Sequence, residues 1–563
     1  MKYLSILLLL VFAACGGPEP ADLVLVGGRV VTVDDTMPEG TAIAMQGDRV
    51  LLVGSDQEVR ALVGSDTEVI ELNGRLAIPG FIEGHGHFMS IGNAQMILNL
   101  NDAQNWDDIV LQVETAVAES EPGAWIMGRG WHQEKWDSTP SGSVDGVPTH
   151  QSLSAVSPRN PVYLGHASGH AAFANAEAMR LGGISSETPN PSGGEIVHDG
   201  RGDPTGLLRE TAQGLVGRAR SQAQRGMTEE EAEARALEQI RLASEEVLSK
   251  GITSFQDAGS GFGSIDRFRG LAESGELPVR LYVMIRASNE SLAENLGQGP
   301  IIGEGGNFLT VRSIKRSIDG ALGPHGAWLL EPYSDKPESA GLNTSDVSSV
   351  RETARLALEN GYQLNVHAIG DRANREVLDI YEESFGGRDT DDRRWRIEHA
   401  QHLHPDDIPR FAGLGVIAAM QGVHATSDGP WIHEKLGDKR AREGAYVWRS
   451  LLDSGAIVTN GTDAPVEDVD PLASYYATVS RVVRDGSVFY PEQRMTRMEA
   501  LRSYTLSNAH AAFEEDIKGS LTPGKLADVT VLSADILSVP EEQIPMARVD
   551  YTIVGGQVRY RRD

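Results

Sequence analysis

Eight short β-rich runs, most of them followed by a helical pattern, constrain this chain more than any other feature. In order they are "RLAIPGFIEGH", "GITSFQDAG", "VRLYVMIRA", "VRSIKRSIDG", "YQLNVHAIGD", "RWRIEHAQ", "GVIAAMQG" and "AIVTNGTDAP". Strands that alternate with helices pair in parallel and bury both faces, and eight such units close into a (β/α)8 TIM barrel, an α/β fold. One connecting helix is legible in detail. "TEEEAEARALEQIRLASEEVLSKG" opens with a capping box from Thr228 to Glu231 and stops at Gly251.

The two ends of the chain have a different texture. "ADLVLVGGRVVTVDD" and "TAIAMQGDRVLLVGS" near the start, and "GKLADVTVLSAD" and "VDYTIVGGQVRYRRD" near the finish, are β-branched runs broken by Gly-Gly and Gly-Asp turns. They predict one small β-sandwich assembled from residues 22–75 and 516–563, flanking a barrel over 76–515. Residues from about 100 to 225 fall between the first and second barrel strands and must be an insertion. A chain of 563 residues is long enough for a large domain with such additions.

The chemistry gathers on strand ends. In "PGFIEGHGHF", His85 and His87 lie two apart at the end of strand 1, so in a strand they share a face. Lys315 lies on strand 4, His367 ends strand 5, His399 ends strand 6 and Asp463 ends strand 8. The C-terminal strand ends of a barrel surround one mouth, where residues hundreds of positions apart converge. Four imidazoles and a carboxylate suit Zn²⁺ or a similar divalent ion, one or two in number. Taken singly, His367 and His399 also read as hydrogen-bonded core histidines, and Asp463 in "NGTDAP" as the start of a turn.

The formal net charge of −30 repels phosphate backbones and argues against nucleic acid as a partner, leaving a small molecule as the expected one. The oligomeric state is not legible. The segment "MKYLSILLLLVFAACGG" reads as a leader: Lys2, an apolar stretch from Leu4 to Ala14 too short to span a bilayer, then Cys15, the single cysteine. Small residues before that cysteine resemble a bacterial lipoprotein cleavage site. The expectation is a signal peptide over residues 1–15 and an exported protein whose only membrane contact is a lipid on Cys15. On resemblance to the usual lipoprotein sorting rule, Gly16 rather than Asp after the cysteine favours the outer membrane of a Gram-negative host, at its periplasmic face or the cell surface. Lipidation of Cys15 would leave no free thiol and exclude cysteine catalysis.

Beyond these elements the sequence resembles the amidohydrolase superfamily, specifically amidohydrolase family 3, which includes N-substituted formamide deformylases. The motifs that carry it are "PGFIEGHGHF", "GRGWHQEKW", "GHASGHAAFANAEAM", "GITSFQDAG", "KRSIDGALGPHGA", "VHAIGDRANREVLD", "RIEHAQHL", "NGTDAPVE", "EALRSYTLSNAH" and "GSLTPGKLADVTVL". The sequence departs from the pattern at Glu83, where Asp is commoner, and at Gly422, where a proline is expected. The resemblance implies the barrel and sandwich above, and makes His85, His87, His367, His399 and Asp463 metal or catalytic positions. It also matches Lys315 to a lysine that in relatives is either carboxylated, bridging two metals, or unmodified. His132 and His170 match motifs near the family's pocket. Trp131 and Trp136 either wall a substrate or pack the insertion.

That site implies hydrolysis of a carbon–nitrogen bond in an amide-like substrate such as an N-acyl or N-formyl amine. A divalent ion acidifies water and polarises a carbonyl. Asp463 is the expected proton shuttle and His170 a candidate to stabilise the oxyanion. Asp257, Asp319 and Asp371, at strand ends or loop starts, are expected to support neighbouring groups rather than react. A deaminase or cyclic-amide hydrolase shares every ligand and stays open as an alternative, as does a non-catalytic binding lipoprotein.

Overall fold

The computed structural model describes residues 19–386 and 392–563; the leader expected over residues 1–15, with Cys15, lies outside the described residues. Its centre is a barrel of eight parallel strands in sequential order. They are β1 (Phe81–Gly86), β2 (Ile252–Ser260), β3 (Arg280–Ile285) and β4 (Leu309–Ser317). Then follow β5 (Gln363–Ala368), β6 (Arg396–His399), β7 (Ile417–Gln421) and β8 (Val458–Gly461). The register sets Phe81 beside Ile252, His367 beside Glu398, and Gln421 beside Gly461.

Strands β8 and β1 meet through backbone bonds just beyond β8. Asp463 N–H donates to the His85 carbonyl at 2.7 Å, and His87 N–H to the Ala464 carbonyl at 2.7 Å. Glu83 Oε1 accepts from Thr462 N–H at 2.6 Å. Such close approach needs glycine: a Cβ on Gly84 would lie 2.4 Å from the Asn460 carbonyl, and one on Gly461 2.6 Å from Glu83 Oε1.

The barrel interior is polar where aliphatic layers are usual. Arg396 on β6 is fully buried, hydrogen-bonded to Gln256 Oε1, to the Gly84 carbonyl at 2.7 Å and to Glu398 Oε2 at 3.0 Å, with its Nε 2.7 Å from Glu398 Oε1. Below it, the helix Leu506–Ala511 plugs the barrel end opposite the mouth: Asn508 donates to the Ile82 and Asn460 carbonyls at 2.6 and 2.8 Å. Outside the barrel, the helix Glu229–Ser249 carries the capping box of Thr228 and Glu231. Its buried Ala236, Ile240, Ala243 and Val247 recur at helical spacing, the stripe that a barrel-facing helix must bury.

Both chain ends build the sandwich. A four-stranded sheet uses Ala21–Val26, Ala42–Gln46, Arg49–Gly54 and Val63–Glu71. A six-stranded sheet combines Arg29–Val31, Glu39–Gly40 and Leu76–Pro79 with Val529–Leu532, Val549–Val554 and Gln557–Arg561. Leu23, Leu25, Ile43 and Met45 from one sheet pack with Val529, Val531 and Ile553 from the other. Each such side chain contributes about 2 kcal/mol of burial, so the two ends of the chain hold one another in place.

The insertion is a mixed six-stranded sheet with helices, a structure not legible in its sequence. Its strands, in spatial order, are Gly194–His198, Pro204–Glu210, Ala171–Ala174, Val162–His166, Ile126–Trp131 and Leu98–Asn99. Trp131 packs its core with Trp106, Leu164 and Phe173, and its indole N–H donates to the Leu164 carbonyl at 2.8 Å. Packing therefore accounts for that tryptophan. No helix of the described residues is long and apolar enough to cross a membrane.

Candidate metal centre

At the barrel mouth, β1 delivers His85 and β6 delivers its support. Glu398 accepts a hydrogen bond from His85 Nδ1 and is itself held by Arg396. Burial alone would raise the Glu398 carboxyl, but the Arg396 guanidinium and His85 outweigh it and hold the group down at about 2. With Nδ1 fixed on Glu398, His85 turns Nε2 into the mouth. There Lys315 Nζ lies 3.3 Å away and Asp463 Oδ1 3.5 Å away. Burial, with Lys315 adding to it, lowers His85 to about 4, so its imidazole is neutral at pH 7 and carries a free lone pair.

Asp463 and His399 reach the same point by left-handed backbone, with φ of 58° and 77°. Non-glycine residues adopt such values at a cost of about 1–3 kcal/mol, and they concentrate at functional sites. His399 Nδ1 bonds Gln421 Oε1 at 2.7 Å, leaving its other nitrogen for the mouth. Donor atoms of His85, His399 and Asp463 lie within 4.8 Å of one another. His87, just past β1, puts Nε2 3.2 Å from Asp463 Oδ1. Burial pushes the Asp463 carboxyl up, but His87, His85 and His399 more than reverse this and hold it well below the usual range. Burial likewise keeps His399 and His367 well below theirs, hence neutral. Lys315, buried beneath the cluster, is lowered to about 8, chiefly by burial with Arg286 and Arg396 adding to it.

His367 stands one step from the trio. Its ring centroid lies 4.5 Å from that of His399, and Nε2 faces Asp319 Oδ1 at 3.4 Å. Asp319 ties the loops around it, accepting from the backbone N–H groups of Trp328, Ile369 and Gly370 at 2.8–3.0 Å. Asp257 accepts from Phe88 N–H and Asp371 from Leu330 N–H, so these three aspartates organise backbone. The insertion contributes His170, whose ring lies 4.9 Å from that of His367 and whose Nδ1 bonds Glu210 at 2.8 Å. Burial opposes its protonation, but Glu210, with Asp319 and Asp463, overcomes this and raises it.

The donor set fits a divalent cation. Two neutral imidazoles, His85 and His399, converge with the ionised Asp463 carboxylate, and Asp463 Oδ1 there and His367 Nε2 beside them are buried without a hydrogen-bond partner. Leaving a buried polar atom unsatisfied costs about 1–3 kcal/mol, which a bound cation removes. Sequence reasoning missed Glu398, Arg396, Gln421 and Glu210. The first two lie within "RIEHAQHL", where an Arg and a Glu two apart on an interior strand are the available signal.

Two lobes open from the centre, and His170, His367, His399 and Asp463 line both. The smaller, about 60 Å³, is walled by His132, His166, Leu322, Pro324, His424 and Trp431. The larger, about 530 Å³, is lined by Arg129, Arg286, Ser317 and Ser345 among others. Gly422, where a proline is expected, is packed so closely that a Cβ would meet Thr478 Oγ1 at 2.3 Å.

This geometry agrees with what the chain is similar to. It is 33% identical over 553 residues to Protein LONG AFTER FAR-RED 3 of Arabidopsis thaliana, covering 96% of this chain and 92% of that protein. It is 29% identical over 549 residues to the N-substituted formamide deformylase of Arthrobacter pascens, covering 96% and 98%. The crystal structure of an uncharacterized metal-dependent hydrolase from Pyrococcus horikoshii OT3 matches with a TM-score of 0.72 at 26% identity, over 92% of this chain and 99% of that one. The amidohydrolase family model matches residues 68–560, which takes in the whole barrel and the C-terminal strands of the sandwich. On that span the chain belongs to amidohydrolase family 3, and its fold is that of a metal-dependent hydrolase.

Proposed function

We propose that the protein hydrolyses a carbon–nitrogen bond of an amide-like substrate, an N-acyl or N-formyl amine, with Zn²⁺ as its ion. The observation that carries this reading is Asp463: an ionised, buried carboxylate with one oxygen unbonded, 3.2 Å from His87 and 3.5 Å from His85. His85, His87, His367, His399 and Asp463 would hold the ion, with Lys315 joining them if carboxylated. When bound, a divalent ion supplies Lewis acidity, which acidifies water and polarises a carbonyl. Asp463 takes the proton of the attacking water and delivers it to the leaving nitrogen, which departs poorly unless protonated. His170, with Nδ1 engaged by Glu210, offers Nε2 to the carbonyl oxygen as negative charge develops there.

Export and lipid anchoring through Cys15 belong to the same proposal and rest on the leader sequence. The test of the catalytic reading is metal stoichiometry on the purified protein, followed by a screen of N-acyl and N-formyl amines. His85→Ala is expected to lose bound ion and turnover together. Full metal content and full turnover in that variant would overturn the assignment.

A further inference from the structure

The larger lobe contains a guanidinium, that of Arg286, which no group among the described residues holds by a hydrogen bond or ion pair. Arg286 directly follows β3, and its backbone N–H donates to the Ser260 carbonyl at 2.9 Å, so the sheet fixes its place at the barrel mouth. Its stem passes over Gly259, whose φ is 134°. A Cβ there would lie 3.0 Å from Arg286 Cδ and 3.1 Å from its Cβ. The end of β2 is thus shaped to let this side chain through.

The neighbouring guanidiniums are all engaged. Arg129 donates to the Pro465 and Ala167 carbonyls, Arg316 to Thr353 and Asn289, and Arg396 to Glu398. The Arg286 guanidinium has no hydrogen bond, ion pair or ring contact among the described residues. Asp257 acts on it only through its charge, with one oxygen occupied by Phe88 N–H. Arg286 remains exposed to the lobe, which it lines beside Lys315, Ser317 and Ser345.

We infer that Arg286 is the specificity-determining residue that receives a carboxylate on the substrate, so that the preferred substrates are N-acyl amino acids rather than neutral N-acyl amines. A planar guanidinium matches a carboxylate through two parallel hydrogen bonds. Glu210, Asp319 and Asp463 line the same lobe, so it suits a singly charged acid better than a phosphate dianion. The inference rests on the amidohydrolase reading above and deepens it.

The experiment compares metal-loaded wild type, Arg286→Gln and Arg286→Lys on paired substrates: N-acetyl amino acids and the N-acetyl amines that lack only the carboxylate. Binding of the same compounds is followed by calorimetry, and metal content is measured for each variant. Wild type is expected to favour the acid. Arg286→Gln should raise KM for the acid about 10- to 100-fold while changing kcat/KM for the neutral partner less than about 3-fold, the size of one lost charge-assisted pair. Arg286→Lys should recover part of the loss. Equal use of acid and amine by wild type, an equal loss on both in Arg286→Gln, loss of metal in that variant, or no binding of the acid would each overturn the inference. Arg286-dependent binding of the acid without hydrolysis would instead overturn the hydrolase reading and leave the carboxylate site standing.

Discussion

Replacing Glu398 by Gln tests whether the buried Arg396–Glu398–His85 chain does what its geometry implies. The substitution keeps the size and one acceptor oxygen but removes the charge that Arg396 and His85 share. A carboxyl held at about 2 instead of its ordinary 4.5 contributes about 3 kcal/mol to folding at pH 7. That agrees with the roughly 3–5 kcal/mol lost when one member of a buried ion pair is deleted. The sign is that of a depressed acid: the contribution is complete above pH 4.5 and fades as pH falls toward 2. By linkage it should drop from about 3 kcal/mol at pH 7 to about 1 kcal/mol near pH 3. The assay is urea unfolding of chelator-treated wild type and Glu398→Gln across that range, with metal affinity measured by competition. Affinity should fall about 10- to 100-fold, because His85 loses the carboxylate that fixes its tautomer. Equal stabilities at pH 7, a stability gap that does not narrow in acid, or unchanged metal affinity would each refute the reasoning.

Three further outcomes are expected. Asp463→Asn should lower kcat about 10²-fold or more while keeping bound metal and changing substrate affinity much less, read from steady-state kinetics beside metal analysis; near wild-type turnover would remove Asp463 as the proton shuttle. Lys315→Ala should lose at least one metal equivalent and regain activity in part with added short carboxylates if Lys315 is carboxylated, whereas intact mass showing an unmodified lysine in a one-metal protein would exclude the bridge. Expressed in a Gram-negative bacterium that lipidates exported proteins, Cys15→Ser should move the protein from the membrane fraction to the soluble one, since a lipid on that cysteine is the only anchor invoked, and wild type already soluble in the periplasm would contradict it.

What the sequence makes legible, and what it hides, divides along a physical line. Strand count and alternation carry the barrel, and they bring Lys315, His367 and the His85-x-His87 pair to one end, because on β1, β4 and β5 the backbone obeys the two-residue period. The same period misleads on β6. It places Glu398 and His399 on opposite faces, yet both meet His85, one through Nδ1 and the other ring to ring at 4.7 Å. The left-handed turn at His399 and Ala400, with φ of 77° and 43°, makes this possible. Propensity gives only a weak hint of it: histidine is enriched in that region relative to most residues, but alanine is not. Asp463 repeats the device after β8, and its own backbone N–H bonds the His85 carbonyl. Arg396 and Glu398 escape notice for a related reason: a charge pair inside a barrel breaks the apolar pattern by which an interior is recognised, and only the tertiary structure shows that each charge answers the other. The insertion's Glu210 depends on docking that no local signal encodes, whereas His170, whose ring it holds, is reached through the family motif "GHASGHAAFANAEAM". The concealed features are thus those in which the chain departs from regular local preference, and strained backbone and buried charge persist only where the surrounding fold compensates their cost. The left-handed residues converge on His85 from β6 and β8, and the Arg396–Glu398 pair holds that ring from below. Relaxing the end of β6 would separate His399 from the cluster, whereas relaxing the end of β8 would also break the Asp463 N–H bond to the His85 carbonyl that joins β8 to β1, so the strain at Asp463 serves both the candidate metal centre and the closure of the barrel.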